Sequence, residues 1–140
     1  MKKVLIIEDD PIMRHVCQRL LGQHGFAVEL ATDGSNGLER LGAFQPDAVL
    51  LDLMMPKTSG IEVLKRLRAQ EQFRNLPVIV FTNACVPILV EQAVGAGATH
   101  VLDKSKFNPV AIMELLRSVI DTGRDAHGSI SLTERLERLH

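Results

Sequence analysis

The sequence predicts an α/β fold, a doubly wound parallel sheet of five strands with helices on both faces. Three observations carry this. Short apolar runs alternate with helix-patterned segments through the first 120 residues, and five successive β-α units demand a parallel sheet covered on both sides. The run Ala48 to Leu51 holds four apolar residues without alternation, which suits a strand buried on both faces. Most of the runs end on polar side chains, and open α/β sheets bind ligands beyond the carboxyl ends of their strands.

Taken in order, Lys3 to Ile7 is the first strand and ends in Glu8-Asp9-Asp10-Pro11. Asp10 and Pro11 make a good N-cap and first-turn pair. The helix they open carries Ile12, Val16 and Leu20 at helical spacing with Met13 and Leu21 beside them, and Gly22 and Gly25 mark its end. Phe26 to Ala31 is the second strand. Asp33-Gly34 opens a second helix with Leu38 and Leu41, and Pro46 closes the loop before the third strand, Ala48 to Leu51. Ser59-Gly-Ile-Glu62 has the capping-box pattern and leads into a helix with Val63, Leu64 and Leu67 on its apolar side. Pro77 to Phe81 is the fourth strand, ending at Thr82-Asn83. Pro87 starts a helix with Ile88, Leu89, Ala93 and Ala96 that stops at Gly95-Ala-Gly97. Thr99 to Leu102 is the fifth strand, ending at Asp103-Lys104. Asn108-Pro109 caps a last helix whose apolar face is Ile112, Leu115, Leu116 and Val119.

Residues 1–121 thus form one domain, with 122–130 a polar linker holding Gly123 and Gly128 and 131–140 a short amphipathic helix. That helix bears Leu132, Leu136 and Leu139, with Glu134 and Arg138 spaced to pair. A helix so short is marginal alone in water, so it docks on the domain, pairs with a second copy of the chain, or continues into something further.

A net charge of -1 gives no electrostatic case for nucleic acid or an anionic membrane surface. No apolar run approaches the roughly 18 residues needed to span a bilayer. The apolar stretch after Met1-Lys-Lys is too short for a signal peptide and is interrupted by acidic residues, so the expected location is the cytoplasm. Cys17 and Cys85 show neither disulfide nor metal-ligand spacing; Cys17 reads as a core residue and Cys85 as a loop residue.

A parallel sheet gathers the ends of its strands on one edge, here bringing together Glu8 and Asp9, Asp52, Thr82 and Lys104. Carboxylates placed together repel, and a hard divalent cation resolves that; Mg²⁺ suits a site of a few carboxylates, waters and phosphate. The backbone carbonyl of Met54 is near enough in sequence to Asp52 to be a further ligand. An aspartate beside Mg²⁺, with an ammonium and a hydroxyl at hand, has the parts for phosphoryl transfer to the carboxylate. Singly, each of these residues reads as a helix cap, a loop hydroxyl or a solvated charge; their joint occurrence on four strands does not.

These motifs, Glu8-Asp9-Asp10-Pro11, Asp52 to Gly60, Phe81-Thr82 and Gly97 to Lys104, resemble those of response-regulator receiver domains of two-component signalling. The resemblance covers about residues 2 to 121. It implies a flavodoxin-like (βα)5 sheet in the order 2-1-3-4-5. It also implies that Asp52 takes a phosphoryl group from a histidine kinase or phosphotransfer protein. Glu8, Asp9, Asp52 and the Met54 carbonyl would bind Mg²⁺, Thr82 and Lys104 would read the phosphoryl group, and a downstream partner or an output domain would respond. Three positions depart from the family pattern. Val101 stands where an aromatic residue is usual, so coupling to the face of helix four and strand five is expected to differ. Ser105 follows the lysine in place of a cis-bonded proline, leaving that isomer open. Asn83 replaces a small residue after Thr82, within reach of a phosphoryl group or its attacking water.

Two other classes compete. A Mg²⁺-dependent phosphatase with an aspartyl nucleophile commonly has a second aspartate two residues on, where this chain has Met54. A receiver fold acting purely by protein contact, without phosphorylation, would bind partners equally well after Asp52→Asn. A dinucleotide-binding domain is disfavoured because the first loop is acidic rather than glycine-rich.

Overall fold

The computed structural model describes residues 1–83, 85–106 and 108–122. The linker and terminal helix expected at 122–130 and 131–140 lie outside the described residues, apart from the backbone of Thr122. Five strands and five helices alternate: β1 Lys3–Ile7, α1 Pro11–Gln23, β2 Ala27–Ala31, α2 Gly34–Phe44, β3 Ala48–Leu51, α3 Gly60–Ala69, β4 Val78–Thr82, α4 Pro87–Gly95, β5 His100–Asp103 and α5 Pro109–Thr122. Short 3₁₀ turns, Glu71–Phe73 and Lys104–Lys106, precede β4 and follow β5. The strands pair in parallel in the order β2-β1-β3-β4-β5, as expected.

The sheet separates two apolar layers by strand parity. Leu5, Ile7, Val49, Leu51, Val78, Val80 and Val101 face α2, α3 and α4, where Leu41, Val63, Leu64, Leu67, Val90 and Ala93 complete one core. Val4, Ile6, Leu50, Ile79 and Phe81 share the other core with Cys17 and Leu21 of α1 and Ile112, Met113, Leu116 and Val119 of α5. All four residues of β3 are buried, as the unbroken apolar run predicted.

Caps set the helix starts. The Asp10, Asp33 and Ser59 side chains accept from the N–H groups of Ile12, Asn36 and Glu62, and Asn108 accepts from Ala111. Strands β1, β2 and β3 stop level with one another, Ile7 pairing with both Ala31 and Leu51. Their continuations therefore leave the sheet together.

Two helix faces differ from the sequence expectation. On α1, Ile12 is 74% exposed and Val16 42%, while Cys17 and Leu21 are buried. The stripe that packs is Met13, Cys17 and Leu21, one residue round the helix from the expected one. On α4, Ile88 is 60% exposed whereas Val90 is 2% exposed, and Val90 and Ala93 are the residues that face the sheet. Both helices are apolar on more than one side, so spacing alone admits two stripes and the packing of the sheet selects one.

Arg68 ties the two helices α3 and α4 together. Its guanidinium donates to the Gly97 carbonyl from Nε at 3.1 Å and from Nη2 at 2.7 Å, and to the Phe73 carbonyl from Nη1 at 2.8 Å. Gly97 has φ of 110°, and a Cβ there would meet the Arg68 side chain at 2.8 Å. Glycine is needed both for the conformation and for the close approach.

The observed α1 stripe makes a prediction that separates it from the expected one. Leu21→Ala is expected to lower unfolding free energy by about 3 kcal/mol, and Ile12→Ala to change it by less than about 0.5 kcal/mol. Urea unfolding of both variants checks this; equal losses would contradict the observed burial.

Candidate functional site

Backbone hydrogen bonds carry the strand ends into the loops that hold the acidic residues. The Glu8 N–H donates to the Ala31 carbonyl at 3.1 Å, and the Asp52 N–H donates to the Ile7 carbonyl at 3.0 Å. Glu8 and Asp52 are thus fixed on neighbouring chains one step beyond the ladder. Arg14, one turn into α1, donates from Nη1 to the carbonyls of Glu8 at 3.0 Å and Asp9 at 3.2 Å. This brace on the β1–α1 turn was missed from sequence; the available signal was its position four residues beyond the cap Asp10, one helical turn on. On the other side, the Met54 N–H donates to Asp52 Oδ1 at 3.2 Å. Gly60 lets α3 begin against this loop, since a Cβ there would lie 2.5 Å from Leu53 Cα.

One carboxylate oxygen from each of Glu8, Asp9 and Asp52 lies within 4.8 Å of the others. Lys104 reaches them from the end of β5. Its ammonium ion-pairs with Glu8 and lies 3.3 Å from Asp52 Oδ2, and the residue is only 9% exposed. The Phe81 ring lies 5.9 Å from Nζ, which adds a cation–π contact. Below the carboxylates, Ile6, Leu50, Cys17 and Phe81 are among the residues lining a cavity of about 10 Å³, at the lower limit for a single water.

Burial of the cluster governs its electrostatics. Burial pushes the Glu8 carboxyl up to about 7, and the hydrogen bond and negative charge of Asp52 add to it while Lys104 opposes. Burial alone would lower the Lys104 ammonium, but Glu8 and Asp52 together outweigh it, and its pKa is raised. Burial, with Glu8 nearby, pushes the Cys17 thiol up to about 11, so at neutral pH it is an un-ionised core group. The Cys85 thiol is half-buried, lies 3.7 Å from the Thr82 carbonyl and is also raised by burial.

The remaining residues singled out in the sequence fall around this cluster. Thr82 is buried at the end of β4, paired with Asp103 of β5. Asn83 follows it on the exposed surface. Met54 is 60% exposed, its side chain outside the carboxylate cluster. Val101 is buried opposite Val80 in the core that holds Val90 and Ala93, so it acts as packing rather than as a surface group. There is no cis peptide bond among the described residues, so Lys104–Ser105 is trans. A donor set of carboxylate oxygens, too acidic for one ammonium to balance, fits a hard divalent cation such as Mg²⁺.

Residues 4–117 match the family model of the response regulator receiver domain. The chain belongs to that family. The receiver is 38% identical over 116 residues to response regulator MprA of Mycolicibacterium vanbaalenii and, likewise, to MprA of Mycobacterium ulcerans. Each match takes in 81% of this chain and 47% of the relative, so the chain spans about half the length of the curated relatives it matches. Among solved structures it is similar to chemotaxis protein CheY4 of Vibrio cholerae, with 31% identity, a TM-score of 0.80, and coverage of 85% of this chain and 98% of that one. It is also similar to the receiver domain of a sensor histidine kinase of Pseudomonas aeruginosa, solved with a magnesium ion coordinated in its active-site cleft. That match has 28% identity and a TM-score of 0.79, covering 86% of this chain and 98% of the other. The BeF3-activated receiver domain of Klebsiella pneumoniae RstA gives 27% identity and a TM-score of 0.78, over 85% and 98% of the two chains.

The Glu8 environment predicts how receiver stability depends on pH without divalent cation. Between the ordinary value of 4.5 and about 7, the folded state binds the Glu8 proton and the unfolded state releases it. Stability is therefore expected to fall as pH rises through this window, by at most about 3 kcal/mol. Urea unfolding in EDTA at pH 5 and 7.5 checks this, and Glu8→Gln is expected to flatten the slope.

Proposed function

We propose that Asp52 accepts a phosphoryl group from a histidine kinase or phosphotransfer protein, and that the receiver thereby switches its affinity for a downstream partner or output domain. The observation that carries this reading is the cluster itself: three carboxylates within 4.8 Å of one another, with Lys104 bridging Glu8 and Asp52. In the transfer, an Asp52 carboxylate oxygen bonds to phosphorus as the phosphorus–nitrogen bond of the donor phosphohistidine breaks. The freed imidazole takes a proton from solvent, and Asp52 becomes an acyl phosphate. Glu8, Asp9, Asp52 and the Met54 carbonyl are the ligands assigned to Mg²⁺, which when bound neutralises charge on the phosphoryl oxygens. Glu8 must lose its proton to serve.

Lys104, already beside the Asp52 carboxylate, pairs with a phosphoryl oxygen, and the Thr82 hydroxyl donates to another. Acceptance turns a singly charged carboxylate into an acyl phosphate of charge about -2 with three strong acceptor oxygens, which biases the loops carrying Thr82 and Lys104 between two arrangements. With Val101 in the core, the response reaches α4 by packing rather than by rotation of an aromatic ring. The chain acts on no substrate but itself. An aspartyl-nucleophile phosphatase is disfavoured because Met54 supplies no acid where that chemistry uses one. A cytoplasmic site of action accords with the described residues, where no helix is long and apolar enough to cross a membrane.

Incubation with Mg²⁺ and acetyl phosphate or a phosphorylated kinase is expected to give about one acid-labile phosphate per wild-type chain, and none on Asp52→Asn. Equal labelling of both proteins, or of neither, would remove the proposal. EDTA is expected to abolish labelling.

A further inference from the structure

We propose that Asp103 is the positioning residue for Lys104: its carboxylate caps the turn after β5 and so aims the Lys104 ammonium at the phosphoacceptor. This inference rests on the reading of Asp52 given above. Lys104 is placed from two sides. Before it, the β4–β5 register pairs Asp103 with Thr82 and ends the ladder there. After it, no strand continues, and the chain turns through the 3₁₀ segment Lys104–Lys106, of which Ser105 and Lys106 are exposed. Asp103 Oδ1 braces this turn: it accepts from the Ser105 N–H at 2.8 Å and from the Ser105 hydroxyl at 2.7 Å.

Those two bonds span the Lys104 backbone, so they restrict the two dihedrals that decide whether its side chain points inward or out. The difference matters because Lys104 is a long side chain of high rotameric freedom, yet it is buried between Glu8 and Asp52. Its neighbours on the turn face solvent. A backbone swing at Lys104 would carry the ammonium out with them. Neither Asp103 nor Ser105 touches the carboxylate cluster through any of these bonds, so both act through Lys104 alone.

The test separates placement of Lys104 from metal binding and from stability. Full-length wild type, Asp103→Ala and Asp103→Asn are titrated with Mg²⁺ and then, at saturating Mg²⁺, with beryllofluoride as the phosphoryl mimic, both by calorimetry. Asp103→Ala is expected to bind beryllofluoride about tenfold more weakly, with Mg²⁺ affinity within about twofold of wild type. Asp103→Asn keeps an acceptor oxygen and is expected to recover most of the loss. Should Asp103→Ala fail to fold, Ser105→Ala, which removes only the hydroxyl bond, is expected to show a smaller loss in the same direction; an unchanged affinity there overturns the inference. Equal beryllofluoride binding by Asp103→Ala and wild type, or a parallel loss of Mg²⁺ and beryllofluoride, overturns it while leaving the role of Asp52 intact. A wild type that takes up no beryllofluoride overturns the phosphoacceptor reading and this inference with it.

Discussion

The structure depends on holding carboxylates together where water has been removed. Glu8 and Asp52 are buried at the edge of a sheet whose interior is aliphatic, and their mutual repulsion is offset by one ammonium, that of Lys104. Burying charge is costly unless it is paired, and here the pairing is incomplete. A proton is favoured on Glu8 first by its burial and then by the neighbouring Asp52, which Lys104 only partly offsets. The backbone ladder makes the arrangement affordable to the fold, since the residues that bring Glu8 and Asp52 together are the same ones that pair β1 with β2 and β3.

From that centre the surrounding sequence choices follow. Gly60 is small because α3 starts against the Asp52 loop, and Arg14 is basic and long because it must span the turn from α1 to two carbonyls. Phe81 faces the layer shared with α1 and α5 yet lies near enough to Lys104 to contribute a ring face. Cys17 fills the floor as a small apolar group, and burial keeps its thiol un-ionised at neutral pH.

Much of this was legible in the sequence, because parallel strands carry an all-or-none signal. An unbroken apolar run such as Ala48 to Leu51 has few readings, and a run that ends on Asp52 fixes where that residue emerges. Caps were equally clear, since Asp10, Asp33, Ser59 and Asn108 are residue types whose side chains satisfy the first free N–H groups. What failed was choosing between two apolar stripes on one helix. Ile12 and Val16 have the same spacing as Met13 and Cys17, and only contact with β1 and α5 decides which pair is covered. Arg68 was invisible for a different reason: it serves backbone carbonyls, and no sequence pattern announces a carbonyl in need of a donor. Arg14 serves carbonyls too, and only its place one turn beyond the cap Asp10 hinted at it.

The Arg68 clasp has a mechanical consequence for α4. At its C-terminal end this helix is fastened by Arg68 on Gly97 and by backbone bonds from Ala96, Gly97 and Ala98 to carbonyls of its last turn. At its N-terminal end, Val86 offers no side-chain acceptor and Pro87 has no N–H to give. Nine residues of helix span only about 13 Å, so the two ends are joined by a short stiff rod. The Val86 carbonyl accepts from Leu89 and Val90 at the N-terminal end, but no side chain among the described residues clasps it. With the clasp at the other end, a tilt of the rod would move the exposed Val86 and Ile88 furthest, since they lie away from Arg68.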